Sequence, residues 1–422
     1  MARTMGRPRT ERAPALVVPL LFWVSAGLFG AFGALELART AAAFLALALG
    51  APGILVAVHS FTLGFLTMTM MGALYQFGPV VLGLRVVPPR RAAGQYALYT
   101  GGVVVFLAGL GTLRPLLVGV GAAGVAGGLL WFVAELAPGL GRAASELVPA
   151  RFVASGLGYL LLVLLLGLLL ASTWWRPWLP FRPALLTHLL LGAAGWFSFV
   201  SYGVTYRLYP MFLAAPVEAR HSAGVFALQH TGVALGVAAA WTGWAVLGVA
   251  AATALALAAG LYLADVLAVV RSRRNRRPGA AAGLAVAAAA WLAVGGAFLA
   301  AAATTGWARA GVLGAVSLAY GWWAGIVTGF LQKIAPFAVW VYWSRHGRDH
   351  TAPHVPRLWP RAWEIPLSAG AGLAPVVLVL GGVVDRIGIV VASLVAEAAV
   401  LAALAAGVAL RGFEALRARR TA

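Results

Sequence analysis

Residues 52–80 read PGILVAVHSFTLGFLTMTMMGALYQFGPV and contain no Lys, Arg, Asp or Glu. An α-helix needs about 20 consecutive apolar residues to cross the hydrocarbon core of a bilayer. This uncharged run therefore predicts a membrane-spanning helix. It also places one imidazole, that of His59, inside the membrane, where ionisable side chains are costly and usually functional.

The composition of the whole chain extends this prediction. Hydrophobic residues make up 62% of the 422 positions and charged residues 10%, whereas a soluble domain usually carries about 25% charged residues. We therefore predict an all-α, polytopic membrane protein whose main partner is the lipid bilayer. The net charge is +20, but the arginines lie between apolar runs, so nucleic acid is not an expected partner. The chain has no cysteine, which excludes disulfides and thiolate metal sites.

Reading apolar runs between arginines, prolines and polar breaks predicts twelve spans in a single membrane domain, 1–422. The stretch 221–270 is apolar throughout, and we divide it at Trp241-Thr242-Gly243-Trp244, an expected interfacial turn. The predicted spans are 15–36, 52–80, 94–111, 113–135, 150–173, 183–210, 221–241, 245–270, 280–303, 310–340, 365–384 and 387–410.

The distribution of basic residues predicts the orientation. With the N-terminus in the cytoplasm, 25 of the 31 Lys and Arg residues fall on the cytoplasmic side and six outside. Short cytoplasmic loops carry such an excess in inner membranes. We therefore expect a multi-pass protein of a bacterial-type inner membrane, with both termini cytoplasmic and basic tails at 1–14 and 412–422.

A short pattern recurs near the cytoplasmic ends of spans two, six and ten. It consists of a glycine, then Tyr or Gln three residues on, then a proline four further on. The three copies are Gly72-Ala-Leu-Tyr75-Gln-Phe-Gly-Pro79, Gly203-Val-Thr-Tyr206-Arg-Leu-Tyr-Pro210 and Gly329-Phe-Leu-Gln332-Lys-Ile-Ala-Pro336. A single copy indicates only a proline that ends a helix. Together they predict three parallel four-helix units, at about 15–135, 150–270 and 280–410.

Three histidines fall inside predicted spans: His59, His188 and His230. Buried histidines in a bundle this poor in charge suggest ligands, although a hydrogen-bonded structural role stays open for each. His221 is expected at the membrane interface. The spacing of His346, His350 and His354 is compatible with a metal site, but Pro353 and Pro356 favour a solvated loop.

Helical periodicity suggests what surrounds the two histidines nearest the outer face. Gly192 and Gly195 share a face with His188 in a regular α-helix, and such glycines form a flat slot for a planar group or allow close helix packing. Along the face of His59 the same periodicity predicts an apolar wall formed by Thr62, Leu63, Leu66 and Met70.

Twelve helices in three units, with histidines on spans two, six and seven, resemble subunit I of the haem–copper oxidases and nitric oxide reductases. The chain looks most like divergent members of that superfamily, which keep the scaffold and lose some ligands. The stretches that carry the resemblance are His59-Ser-Phe-Thr-Leu-Gly-Phe, His188-Leu-Leu-Leu-Gly, Tyr206-Arg-Leu-Tyr-Pro-Met-Phe212 and Gln332-Lys-Ile-Ala-Pro-Phe.

The resemblance implies a haem ligand at His59 and a copper ligand at His188, with Gln229-His230 at the position of the span-seven histidine pair. Span ten should supply two further histidines and has none here, and Gly192 stands where the oxidases have a tyrosine. The interior stripe of span ten is instead expected at Ser317, Tyr320, Ala324 and Thr328. Haem b held by His59 and His188, and copper held by His188 and His230, are compatible with the ligands that remain.

Two functions from different classes follow. The first is a haem- or copper-binding membrane protein of the cytochrome oxidase subunit I type, in respiratory electron transfer or nitric oxide and oxygen binding, supplied by redox partner subunits, a cytochrome or a quinol. The incomplete ligand set argues against a full proton-pumping oxidase and leaves enzymatic activity open. The alternative is a metal-free secondary transporter, with Glu397 or Asp265 as its coupling carboxylate.

Overall fold

The computed structural model describes residues 13–217, 219–346 and 358–418, and this part of the chain is all-α, with no β-strand. Twelve of its helices are long and apolar enough to cross a membrane, as predicted. In chain order they are α1 (Val17–Arg39), α2 (Pro52–Leu82), α3 (Pro89–Thr112), α4 (Pro115–Glu146), α5 (Val148–Ser172), α6 (Phe181–Leu213), α7 (Ser222–Thr242), α8 (Ala245–Ser272), α9 (Ala280–Thr305), α10 (Ala308–Arg345), α11 (Arg361–Val383) and α12 (Ile387–Arg417).

The predicted division of the long apolar stretch 221–270 is confirmed. The helix α7 ends at Thr242, and Gly243 follows with a φ of +72°. A residue without a Cβ adopts this left-handed conformation at no steric cost, so the chain reverses here and enters α8.

Two helices extend well beyond their predicted ends. The helix α4 is kinked at Pro138 and Gly139, whose backbone dihedral angles are not helical. The residues after the kink are helical again, as far as Glu146. The helix α12 continues past residue 410 because its last turns are packed: Ala415 is 1% exposed and clusters with Leu16 of the N-terminal segment. The predicted basic tail 412–422 is therefore helical as far as it is described.

The order of packing brings the first and last helices together. The helix α1 lies against α2 and also against α12. At Gly27 the two backbones come so close that an added Cβ would lie 2.7 Å from the Cβ of Ala405. The share of buried residues in the apolar part of the span is 72%, 56% and 67% for α2, α6 and α10 and 61% for α1, compared with 22% for both α7 and α8. The helices that carry the repeated proline pattern are thus interior, and α7 and α8 face outward.

The interior helices share an irregularity that the sequence analysis did not predict. Each contains a π-helical segment, in which the i→i+5 hydrogen bonds of the backbone replace i→i+4 bonds. Counted as the first, second and third π segments, they are Ser60–Thr67 in α2, Leu191–Phe197 in α6 and Ser317–Trp323 in α10; α2 also has a short terminal one, Gly78–Leu82, which has no counterpart in the described residues of the other two helices. Each of the three begins 19 residues before the repeated proline, Pro79, Pro210 and Pro336 respectively.

Each of these π segments carries a glycine at the same register, 15 residues before the proline. They are Gly64, Gly195 and Gly321. An added Cβ would overlap an aromatic ring of the preceding span in each case, from Phe29, Tyr159 and Trp291. The equivalent positions agree with three four-helix units; the division of the chain into such units stays a prediction.

Candidate cofactor site

The histidine of α2 lies directly before the first π segment and is oriented by its own helix. The His59 Nδ1 lies 2.8 Å from the carbonyl oxygen of Leu55, one turn earlier. Because a carbonyl oxygen accepts only, Nδ1 carries the proton, and Nε2 of the neutral ring keeps its lone pair. The ring packs edge-on to Phe106 of α3, with centroids 5.3 Å apart. In a metal-ligating histidine, one ring N–H usually donates a hydrogen bond to a carbonyl or carboxylate, and the other ring nitrogen binds the metal through its lone pair.

The histidine of α6 lies three residues before the second π segment and rests on α5. Gly167 of α5 leaves space for its ring: an added Cβ there would lie 3.2 Å from the His188 Cε1. The ring also interacts with the backbone of Val163. Its Nδ1 is buried and has no hydrogen-bond partner among the described residues. A buried polar atom without a partner costs free energy, so such an atom in a native fold indicates a bound group or a functional role.

The imidazole rings of His59 and His188 lie in the same part of the bundle. His59 and His188 lie close enough for a charge on one ring to act on the other, and each comes seven residues after the first residue of its helix, which is about 10 Å at the α-helical rise. The pair therefore lies at one depth in the membrane, between α2 and α3 on one side and α5 and α6 on the other.

The third membrane histidine, His230, has a different environment. Its Nδ1 is hydrogen-bonded to the Tyr159 hydroxyl at 2.7 Å and its Nε2 to the Ser155 hydroxyl at 3.1 Å. Rings of Phe199 and Phe226 pack against it, with centroids 4.5 and 4.6 Å away. Both ring nitrogens already hold α7 to α5, so a copper ion on His188 and His230 would have to displace at least one of these bonds.

The predicted surroundings of His59 and His188 assumed regular α-helix, and that assumption is wrong over both π segments. A wider turn breaks the three- and four-residue spacing, so the predicted wall of Thr62, Leu63, Leu66 and Met70 does not form one face with His59. The Cβ position of Gly195 lies 2.7 Å from the ring of Tyr159. That glycine therefore serves helix packing, the alternative that the sequence left open.

Side chains from neighbouring helices bind the carbonyl groups of the first two π segments. Tyr99 of α3 donates to the Leu63 carbonyl oxygen at 2.9 Å, and Gln229 of α7 donates to that of Ala194 at 2.7 Å. Leu63 and Ala194 occupy the same register, 16 residues before Pro79 and Pro210. No pattern in the sequence pointed to these two contacts. The feature that could have marked the π segments is the glycine followed by an aromatic residue in each of the three spans: Gly64-Phe65, Gly195-Trp196 and Gly321-Trp322.

The predicted interior stripe of α10 is confirmed, since Ser317, Tyr320, Ala324 and Thr328 are all buried. Tyr320 packs on Phe61 of α2, with ring centroids 4.6 Å apart. Glu397 of α12 is 2% exposed and interacts electrostatically with Tyr320. Its Oε2 atom has no hydrogen-bond partner in the described structure.

The other predicted site residues lie apart from the histidine pair. Asp265 accepts hydrogen bonds from the backbone and ring of His221 and from the Tyr206 hydroxyl. These bonds join the C-terminal parts of α6 and α8 to the start of α7. His350 and His354 lie outside the described residues, as does the side chain of His346. Within the described ranges no three His, Cys, Asp or Glu side chains form a group that could hold a metal ion.

Comparison with known proteins adds no family to these observations. No protein-family model matches the chain, and no curated protein matches it significantly.

Proposed function

We propose that this membrane protein binds haem b or copper through His59 and His188 and acts in electron transfer or in binding nitric oxide or oxygen. One observation carries the proposal: two imidazoles from different spans lie near each other at one depth, and the buried Nδ1 of His188 has no partner among the described residues. Two neutral imidazole donors in an apolar setting suit iron and copper, whereas magnesium and calcium prefer oxygen ligands.

Each of the two histidines has one ring nitrogen that is available to bind such a group. His59 would bind through Nε2, because the Leu55 carbonyl holds the proton on Nδ1. His188 would bind through Nδ1, its unpartnered nitrogen. The ring of Phe106 beside His59 and the α5 backbone at Gly167 beside His188 exclude water from the two sides. A haem or copper ion held by both imidazoles would supply a reversible one-electron change, and gas binding to a haem would require one of the two imidazoles to leave the iron.

The resemblance to subunit I of haem–copper oxidases and nitric oxide reductases supports the same class of function. We propose the same three-unit scaffold in a bacterial-type inner membrane, with both termini cytoplasmic and with electrons from partner subunits, a cytochrome or a quinol. The lack of histidine in α10 and the hydrogen-bonded state of His230 favour one two-histidine centre over the several centres of a proton-pumping oxidase.

Metal analysis of three alanine variants tests the proposal. His59→Ala and His188→Ala should each lower the iron or copper content of the purified protein about tenfold or more, because even the loss of an outer hydrogen-bond partner weakens metal binding by 10- to 100-fold. His230→Ala is the matched control, since its nitrogens are bound to hydroxyls, and it should keep the metal. Loss of metal in His230→Ala, with retention in His59→Ala, would contradict the proposed pair.

A further inference from the structure

A second ionisable group lies deep in the membrane, away from the histidine pair. Glu397 is ten residues from the outer end of α12, about 15 Å at the α-helical rise, which is the middle of a hydrocarbon core about 30 Å thick. Its side chain is buried, and Oε2 has no hydrogen-bond partner within the described structure. A carboxyl group in this position requires a partner that the described protein does not supply.

The basic groups of the neighbouring helices have partners elsewhere. Against α12 pack α1, α10 and α11. On these helices Arg39 is paired with Glu36, Arg309 with Asp385 and Lys333 with Glu364. Arg345 bonds to the Ala13 carbonyl, and Arg361 interacts with Glu364. The titratable group of α10 that faces Glu397 is Tyr320, which is neutral. An ionised carboxylate here would therefore be buried without a counter-ion, which is strongly unfavourable.

The surroundings also discriminate between ligands. A sodium or magnesium ion needs several oxygen ligands, whereas the side chains one turn away from Glu397 on α12 include Ser393, Leu394 and Leu401, and the Ser393 hydroxyl already donates to the Ala374 carbonyl oxygen. A proton needs a single carboxylate oxygen. The ligand that this site accommodates is therefore a proton.

We propose that Glu397 is a proton-binding site of the membrane interior, a neutral carboxylic acid that exchanges its proton and lies near the Tyr320 hydroxyl. Tyr320 lies in the π segment of α10 and packs on Phe61, so the acid lies beside the interior helices rather than at the lipid-facing surface. The proposal is independent of any metal at His59 and His188.

Infrared spectroscopy of the whole protein in detergent tests the site directly. A protonated carboxyl gives a C=O stretch separate from that of a carboxylate, and this band shifts in D₂O when the proton exchanges. We expect such a band near neutral pH in the unmodified protein and its loss in Glu397→Gln. Glu364→Gln is the matched control, because Glu364 is buried but paired with Lys333 at 2.8 Å, and it should keep the band.

A second variant preserves the test if Glu397→Gln does not fold. Tyr320→Phe keeps the ring on Phe61 and removes only the hydroxyl, so the band should remain and change in frequency. The proposal is overturned if the unmodified protein shows no protonated-carboxyl band, if the band survives Glu397→Gln, if it does not shift in D₂O, or if Tyr320→Phe leaves its frequency unchanged.

Discussion

Hydrogen bonds set the orientation of two of the membrane histidines, His59 and His230. His59 is held by a carbonyl of its own helix, which leaves one nitrogen as a ligand. His230 has a hydroxyl on each nitrogen and so resembles a structural residue. Residues of one type in one bundle therefore differ in chemistry because their partners differ, and sequence position alone does not reveal those partners.

The structural role of His230 predicts a modest stability effect. Tyr159→Phe removes the hydroxyl that bonds to its Nδ1 while keeping the ring that packs on Gly195. Hydrogen bonds between transmembrane helices contribute about 0.6 kcal/mol on average and up to about 1.7 kcal/mol. We expect a loss of free energy of unfolding in that range, measured by denaturation in mixed micelles, with metal content unchanged. A variant that lost its metal as well would contradict the structural role.

At the scale of the helix, the π segments are the main feature of the backbone that the sequence did not predict. The twelve spans follow from apolar runs, because the bilayer sets their length. The repeated glycine and proline pattern lies on α2, α6 and α10, in each of which more than half of the residues in the apolar part of the span are buried. The wall predicted beside His59 and the face predicted for His188, Gly192 and Gly195 both assumed a 3.6-residue turn, whereas the backbone is π-helical over Ser60–Thr67 and Leu191–Phe197. Such a turn depends on contacts with neighbouring spans, such as Gln229 with the Ala194 carbonyl, which periodicity does not show.

The close packing at the π segments predicts a position-dependent cost. Gly64→Val would place a side chain against Phe29, whose Cβ lies 2.5 Å from the added Cβ position. Overpacking of this kind costs about 1–3 kcal/mol. Gly101→Val is the matched control, because no atom lies within 4 Å of its added Cβ. Thermal denaturation of purified protein should show a lower Tm for Gly64→Val only. Equal Tm values would mean that the π segment is not tightly packed.

For the whole molecule, the asymmetry of charge predicts the orientation that the helices alone leave undetermined. The chain has no cysteine, so single cysteines provide clean probes of each loop. Thr305→Cys, at the end of α9, should react with a membrane-impermeant maleimide in intact spheroplasts. Arg276→Cys, between α8 and α9, should react only after the membrane is opened. The reverse pattern would place both termini outside, contrary to the distribution of basic residues.

The scaffold as a whole brings α2 and α6 together so that His59 and His188 lie near each other, and this pair is the basis of the proposed function. The most direct test is the reduced-minus-oxidised visible spectrum of the protein purified in mild detergent, with a pyridine haemochrome assay and metal analysis on the same sample. We predict a haem spectrum with near-stoichiometric iron, or near-stoichiometric copper without one, in either case lost in the His59→Ala, His188→Ala double variant. A colourless, metal-free and well-folded protein would contradict the proposal and favour a metal-free transporter.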